Sequence, residues 1–283
     1  MPRAKPANPP VSADPGTLPE ETADGRSGFT LSRTAGAVIA AAGVLLVWWL
    51  ITATGWVSAQ DLPTPATVWS TLWKGITDGS IPEAVSRTLI RLVFGVAVAA
   101  VFGTVIGVGM AASRNFQRTV GALVAGLQAL PPIAWLPLAA LWFGFTERAV
   151  VFVVIAGAFP SIAMATAASI RHVSPLLIRA GRTLGAEGWE LYRHVVVPAA
   201  VPGYVEGLRQ GWVFAWRSLL AAELIIQGGK GLGHSLTTAG AAFDAATILA
   251  LMIVIVVIGI AIDAGFAALD RHVRGRRGLL VTP

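Results

Sequence analysis

Four ionisable side chains, Glu206, Arg209, Arg217 and Glu223, stand inside residues 195–227, a run otherwise apolar enough to cross a bilayer. An ionised group facing hydrocarbon costs at least about 2.5 kcal/mol, so each must face protein, another charge or a water-filled cavity. Glu206 and Arg209 are three residues apart on one helical face and read as a structural pair. Arg217 lies about 29 Å of helix rise beyond Pro198, and Glu223 is too far round the helix from it for an i to i+4 pair. A guanidinium's planar fork suits carboxylate, sulfonate or nitrate, which makes Arg217 a candidate source of positive potential along a path for a small anion. Two alternatives stand beside this: neutralisation by an acidic residue of another span, or snorkelling to the interface.

Other chemistry is poorly supported by the sequence. Residues 227–235, QGGKGLGHS, invite a phosphate-binding reading, but a P-loop needs Ser or Thr after its lysine, and Lys230 is followed by Gly231. His172, His194, His234 and His272 have no ligand-like spacing, and there are no cysteines, so no metal site is expected. Without a GxSxG or a paired-carboxylate constellation, no catalytic residues and no bound cofactor are expected.

The elements that must carry these groups follow from composition. Of 283 residues, 55% are hydrophobic and 13% charged, with mean hydropathy +0.69. Soluble domains carry about 25% charged residues, so this is the composition of a multi-pass membrane protein. The net charge of +6 comes from arginines at the ends of apolar spans, which argues against nucleic acid as a partner.

Six runs are near the ~20 residues that a bilayer requires: residues 35–54, 92–113, 119–146, 149–170, 195–227 and 245–262. The first is read as an uncleaved helix rather than a signal peptide. An even number puts both termini on one side. That side then holds fourteen Lys and Arg, against five (Lys74, Arg87, Arg91, Arg148 and Lys230) on the other, so both termini are expected in the cytoplasm. Gly103 and Gly107 form a GxxxG step, and Pro131, Pro132 and Pro137 break the third run. Thr64 and Pro65 open an expected interfacial helix carrying Val68, Trp69, Leu72, Trp73 and Ile76 on one face.

One cytoplasmic stretch stands apart: residues 172–198, HVSPLLIRAGRTLGAEGWELYRHVVVP, too polar to span and patterned as two short helices. Ser174 caps the first, Pro175 opens it, and Gly185 ends it; Glu187, Trp189, Leu191 and Tyr192 form the second, before Pro198 restarts the chain. Its residues Arg179, Ala180, Gly181, Gly185, Ala186, Val195, Val197 and Pro198 resemble, at family spacing, the EAAxxxGAxxxxxxxxIxLP loop of bacterial ABC importer permeases, with Arg179 in place of the glutamate and Gly181 in place of the second alanine. The chain is similar in particular to the branch importing sulfonates, taurine and nitrate, through SRTLIRLVFG, LPPIAWLPLAALWFG and EGLRQGWVFAWRSLLAAEL, over residues 60–270.

The resemblance implies an all-α membrane protein, a six-helix bundle of the type I ABC importer permease kind with a cytoplasmic coupling-helix loop. With composition, which makes residues 1–30 a disordered cytoplasmic tail outside the resemblance, the chain divides further into a first transmembrane helix with an outer interfacial helix (31–84), a core transmembrane domain (85–270) containing the coupling loop (171–198), and a basic tail (271–283). The resemblance also implies an ABC ATPase subunit that binds ATP, an extracytoplasmic solute-binding protein, and a homodimer of permeases in the inner membrane. The ATPase would dock on Leu176, Ala180 and Leu184, rimmed by Arg182 and Glu187, with Arg179, Gly181, Gly185 and Ala186 shaping the loop. Arg217 would line the path and Glu223 would form part of the outer gate. An ion-coupled secondary transporter and a membrane-embedded lipid-modifying enzyme are the alternatives, though neither internal repeats nor a polar cluster at a membrane face is visible.

Overall fold

The computed structural model describes residues 33–226 and 229–275, so the expected tail 1–30 and the last residues of the basic tail lie outside the described residues. Every element among the described residues is helical: α1 (Arg33–Ala53), α2 (Pro65–Thr77), α3 (Ser80–Ala112), α4 (Arg114–Ala129), α5 (Leu136–Phe143), α6 (Glu147–Arg171), α7 (Pro175–Thr183), α8 (Gly188–Leu191), α9 (Val197–Ile225), α10 (Leu232–Ala241) and α11 (Ala245–Gly275). A 3-10 turn, Pro132–Trp135, joins α4 to α5, and a π turn, Tyr192–Val196, joins α8 to α9. The chain divides into two units, residues 1–46 and 47–283. In the first, the described part of α1 presents Ile39, Val44, Leu45 and Leu46 at its surface.

In the second unit, α3, α6 and α11 are each long and apolar enough to cross a membrane. The pair α4 and α5 meets that test together but is bent by 101° at the proline-rich break. Pro131, Pro132 and Pro137 remove three amide donors within one turn and a half, which no single α-helix could accommodate. The expected kink is thus a sharp corner, filled by Trp135, Trp142 and Phe143 around Phe152 of α6 at ring-centroid distances of 5.5–6.1 Å.

The centre of the bundle is a three-helix stack, α3, α6 and α9, set by glycine. Along α3, Gly95, Gly103 and Gly107 face Val154, Ile162 and Thr166 of α6 in rising order, so the two helices run in the same direction. A Cβ added at Gly107 would stand 2.5 Å from Thr166 Cβ and 2.7 Å from the Ala163 carbonyl oxygen. Along α9, Gly203, Gly207 and Gly211 face Ser169, Ala165 and Ile162 in falling order, so α9 runs against α6. Small residues every four positions let backbones approach, and in a lipid setting that packing, rather than apolar burial, holds helices together. Only the α3 half of this arrangement was read from the GxxxG step. Tyr204 and Thr104, whose hydroxyls are 2.8 Å apart, tie α3 to α9 directly.

Around this stack lie the capped outer helices. Thr64 accepts the Thr67 amide at the start of α2, as its Thr-Pro pair leads one to expect. The expected interfacial face splits: Val68 and Leu72 are buried beside Ala250 of α11, whereas Trp69, Trp73 and Ile76 are exposed. Helix α3 begins at Ser80, so residue 84, the expected edge of the core domain, falls inside it.

Candidate functional site

Two groups of side chains, at opposite ends of α9, carry the chemistry. At its N-terminal end the chain makes the loop from α7 to α8. Ser174 accepts the Leu176 amide at 3.3 Å and Pro175 occupies the first turn of α7. At the far end, Gly185 takes φ +87°, its amide bonding to the Arg182 carbonyl while the Ala186 amide reaches back to Gly181, each at 3.0 Å. This is the paired closure of a glycine-terminated helix, and a side chain at Gly185 would strain the backbone. Gly181 is buried because Leu191 and Val195 fold over it: an added Cβ would meet Val195 Cγ2 at 2.8 Å. The position that is alanine in the resembling loop is therefore closed to a methyl group here.

The outward side of this loop is apolar. Leu176, Leu184 and Trp189 are 67%, 87% and 75% exposed, and Arg179, Ala180, Arg182 and Glu187 are exposed around them, with Ala186 half-buried. The second short helix is shorter than expected. It ends at Leu191, and Tyr192 belongs to the π turn that runs without a break into α9. Pro198 therefore interrupts nothing: the Val197 amide bonds to the Tyr192 carbonyl, five residues back, and this wider turn accommodates a ring that would otherwise clash with the preceding turn.

At the other end of α9, Glu223 is 2% exposed and is the acceptor of a four-part network. Thr88 Oγ1 lies 3.0 and 3.1 Å from its two oxygens, Arg91 Nη1 donates at 2.8 Å, and the Gly233 amide donates at 3.0 Å. Thr88 in turn accepts the Leu232 amide at 2.9 Å, and Arg91 Nη2 donates to Glu147 at 2.7 Å. Gly231 and Gly233 of this loop have a use unrelated to phosphate: a Cβ at Gly231 would stand 2.6 Å from Glu223 Oε1 and one at Gly233 2.5 Å from Glu223 Cβ, so both positions must be bare for the carboxylate to enter. Lys230, the lysine of that loop, pairs with Glu83 at 3.0 Å. Burying a carboxylate is costly unless its oxygens are hydrogen-bonded, and here both are.

Arg91, Thr88 and Glu147 were not singled out as site residues from sequence. The signal was present, since Thr88 and Arg91 continue, at spacings of three and four, the same face as Gly95, Ala99, Gly103 and Gly107.

Arg217 is not brought to this network. It is exposed, and it forms no ion pair among the described residues. It shares an exposed stripe of α9 with Gly203, Glu206, Gln210, Val213 and Leu224. The expected Glu206–Arg209 pair exists at 3.7 Å, but the principal partner of Arg209 is Asp263 of α11, which accepts two hydrogen bonds at 2.8 and 3.0 Å.

Glycine-packed helices, a buried charge network and an exposed apolar loop characterise this apolar helical bundle. Residues 99–275 match the family described as binding-protein-dependent transport system inner membrane component, and the chain belongs to that family. It is 30% identical over 250 residues to the taurine transport system permease protein of Escherichia coli K12, covering 86% of this chain and 90% of that one. It is 34% identical over 229 residues to a probable ABC transporter permease protein of Brucella melitensis, covering 80% and 90%. The nitrate import permease protein of Synechocystis is 28% identical over 239 residues, covering 81% and 86%. Among solved structures, the inward-facing MetNI methionine ABC transporter superposes with TM-score 0.56 at 22% identity, covering 66% of this chain and 95% of that chain. Likeness at that identity speaks for the fold. The chain is thus a permease component of an ABC import system.

Proposed function

We propose that this permease imports a small anionic solute of the sulfonate, taurine or nitrate class, working as a homodimer with two ABC ATPase subunits that bind the ATP and an extracytoplasmic solute-binding protein. The observation that carries the reading is the α7–α8 loop, whose Leu176, Leu184 and Trp189 stand uncovered at one end of the bundle. Large exposed apolar side chains rimmed by Arg179, Arg182 and Glu187 suit a groove on a partner protein, and we assign that partner as the ATPase. Six transmembrane spans with both termini in the cytoplasm fit the excess of Lys and Arg at this end.

Arg217 and its stripe supply the pathway in this reading. Glu206, Gln210 and Arg217 along one edge of a span are costly against lipid, so we place a second copy and a water-filled path there, with Arg217 attracting the anion. Glu223 belongs to the outer gate. The named relatives are a taurine and a nitrate permease; nitrate is an anion and taurine carries a sulfonate beside its ammonium group, which supports a solute with an anionic group.

The test is to search the neighbouring reading frames for a Walker A ATPase and a secreted binding protein, co-express them with this chain, and measure solute-stimulated ATP hydrolysis and uptake. Gly185→Trp places its bulk in open space at the loop's turn, away from the rest of the bundle. It is expected to abolish coupling while the chain still inserts in the membrane; retained coupling would refute the docking assignment.

A further inference from the structure

We infer that Arg91 is a positioning residue of the outer gate, a guanidinium shared by two carboxylates that lets the gate open without leaving a buried cation alone. This rests on the permease reading and concerns residues that the reading leaves without a role. Arg91 is 7% exposed and donates through different nitrogens to Glu223, at 2.8 Å, and to Glu147, at 2.7 Å. The two carboxylates are unlike: the Glu223 side chain is 2% exposed, and that of Glu147, at the first residue of α6, is 55% exposed.

The neighbours determine what can move. Gly95, one turn beyond Arg91, packs on Val154 of α6, so Arg91 and Glu147 stay together; α9 is held to α6 in the same way as far as Ser218, which packs on Gly157, so motion is confined to the turns of α9 beyond Ser218 and to α10. The third party is Glu223 with the segment it holds, through the Gly233 amide and, by way of Thr88, the Leu232 amide. Leu232 is fully buried and covers Ala84 of α3. Separation of Glu223 from Arg91, together with release of the Leu232 amide from Thr88 and of Lys230 from Glu83, frees α10 from α3, while Glu147 keeps the guanidinium paired; return of Glu223 recloses the segment. A cation with a single partner would be stranded by that step, which a low-dielectric interior strongly penalises.

The absence of cysteine permits a clean experiment. Ala84→Cys, buried under Leu232, reports opening through its labelling rate with a charged, membrane-impermeant maleimide in proteoliposomes of the assembled transporter. Arg91→Met and Glu223→Gln are expected to raise that rate by about tenfold or more, and Arg91→Lys, which cannot hold both carboxylates at once, to fall between. The decisive variant is Glu147→Gln. It leaves Arg91 to Glu223 alone, so labelling is expected to slow by about threefold and uptake to fall, with the thermal midpoint unchanged because Glu147 lies at the surface. A merely structural ion pair predicts no effect of Glu147→Gln on labelling or uptake, and that result overturns the proposal, as does a shift of Glu147→Gln and Arg91→Met in the same direction. If labelling responds as stated but the wild-type assembly takes up no anion, the gate stands and the anion-import reading fails.

Discussion

At the scale of single residues, the two charges expected to matter most in α9 differ sharply in surroundings. Glu223 is enclosed and fully satisfied, and removing its charge leaves Arg91 with only the exposed Glu147 as partner; Glu223→Gln should destabilise the bundle by about 1–3 kcal/mol, measured by denaturant unfolding in detergent. Arg217 has no such partner, and Arg217→Gln should leave stability within about 0.5 kcal/mol while sharply reducing uptake of an anionic solute, with Arg217→Lys retaining part of it. Equal uptake by both variants would remove Arg217 from the path. The sequence made both residues visible because charge in an apolar run is conspicuous. It hid Arg91, which sits in the polar stretch just before a span and so looks solvated; only the fold brings it against Glu223, 132 positions away.

At the scale of elements, what was legible depended on local chemistry. Caps written in Ser-Pro, Thr-Pro and an isolated glycine fixed the ends of α2 and α7, because the groups that satisfy the helix termini are neighbours in sequence. The π turn was invisible, since nothing local distinguishes YRHVV from one more turn of α-helix. The glycine stripe on α9 was readable at the same four-residue spacing as the one on α3, but its proline and charges drew attention away. Gly107→Leu should separate α3 from α6 and cost about 1–3 kcal/mol, whereas Gly126→Leu, with open space around it, should cost little beyond propensity; parallel unfolding curves test the contrast. A second element-scale outcome concerns pH. The Thr247 hydroxyl donates to Asp244 at 2.6 Å and its amide at 3.0 Å, which holds that carboxyl below its ordinary value of 3.8. A carboxyl with a depressed folded value stabilises the start of α11 fully at pH above about 4 and loses this as pH falls through the depressed value, so hydrogen exchange at the Thr247 amide should stay protected down to that range and then accelerate.

At the scale of the whole molecule, periodicity and apolar run length were enough to predict an all-helical membrane bundle, and the family match agrees with it. What run length could not supply was the pairing of helices, parallel for α3 with α6 and antiparallel for α9, because these contacts join residues far apart in the chain. The exposed stripe through Gln210, Val213 and Arg217 is where the proposed second copy would pack: Val213→Cys in this cysteine-free chain should then form an oxidised dimer across a two-fold axis, whereas Trp69→Cys, on the outward side of α2, should not. Failure at Val213 would move the dimer contact elsewhere. One consequence of the unbroken helical run from Gly188 to Ile225 concerns mechanics. Trp189, at the base, and Glu223, near the tip, belong to a single shaft, so a displacement where the loop is gripped is carried toward the far end, with the π turn, Pro198 and Pro202 as the places where that shaft can bend. The π turn adds one residue of winding near the grip, and a shaft that carries such a surplus can yield rotation at its far end by taking it up.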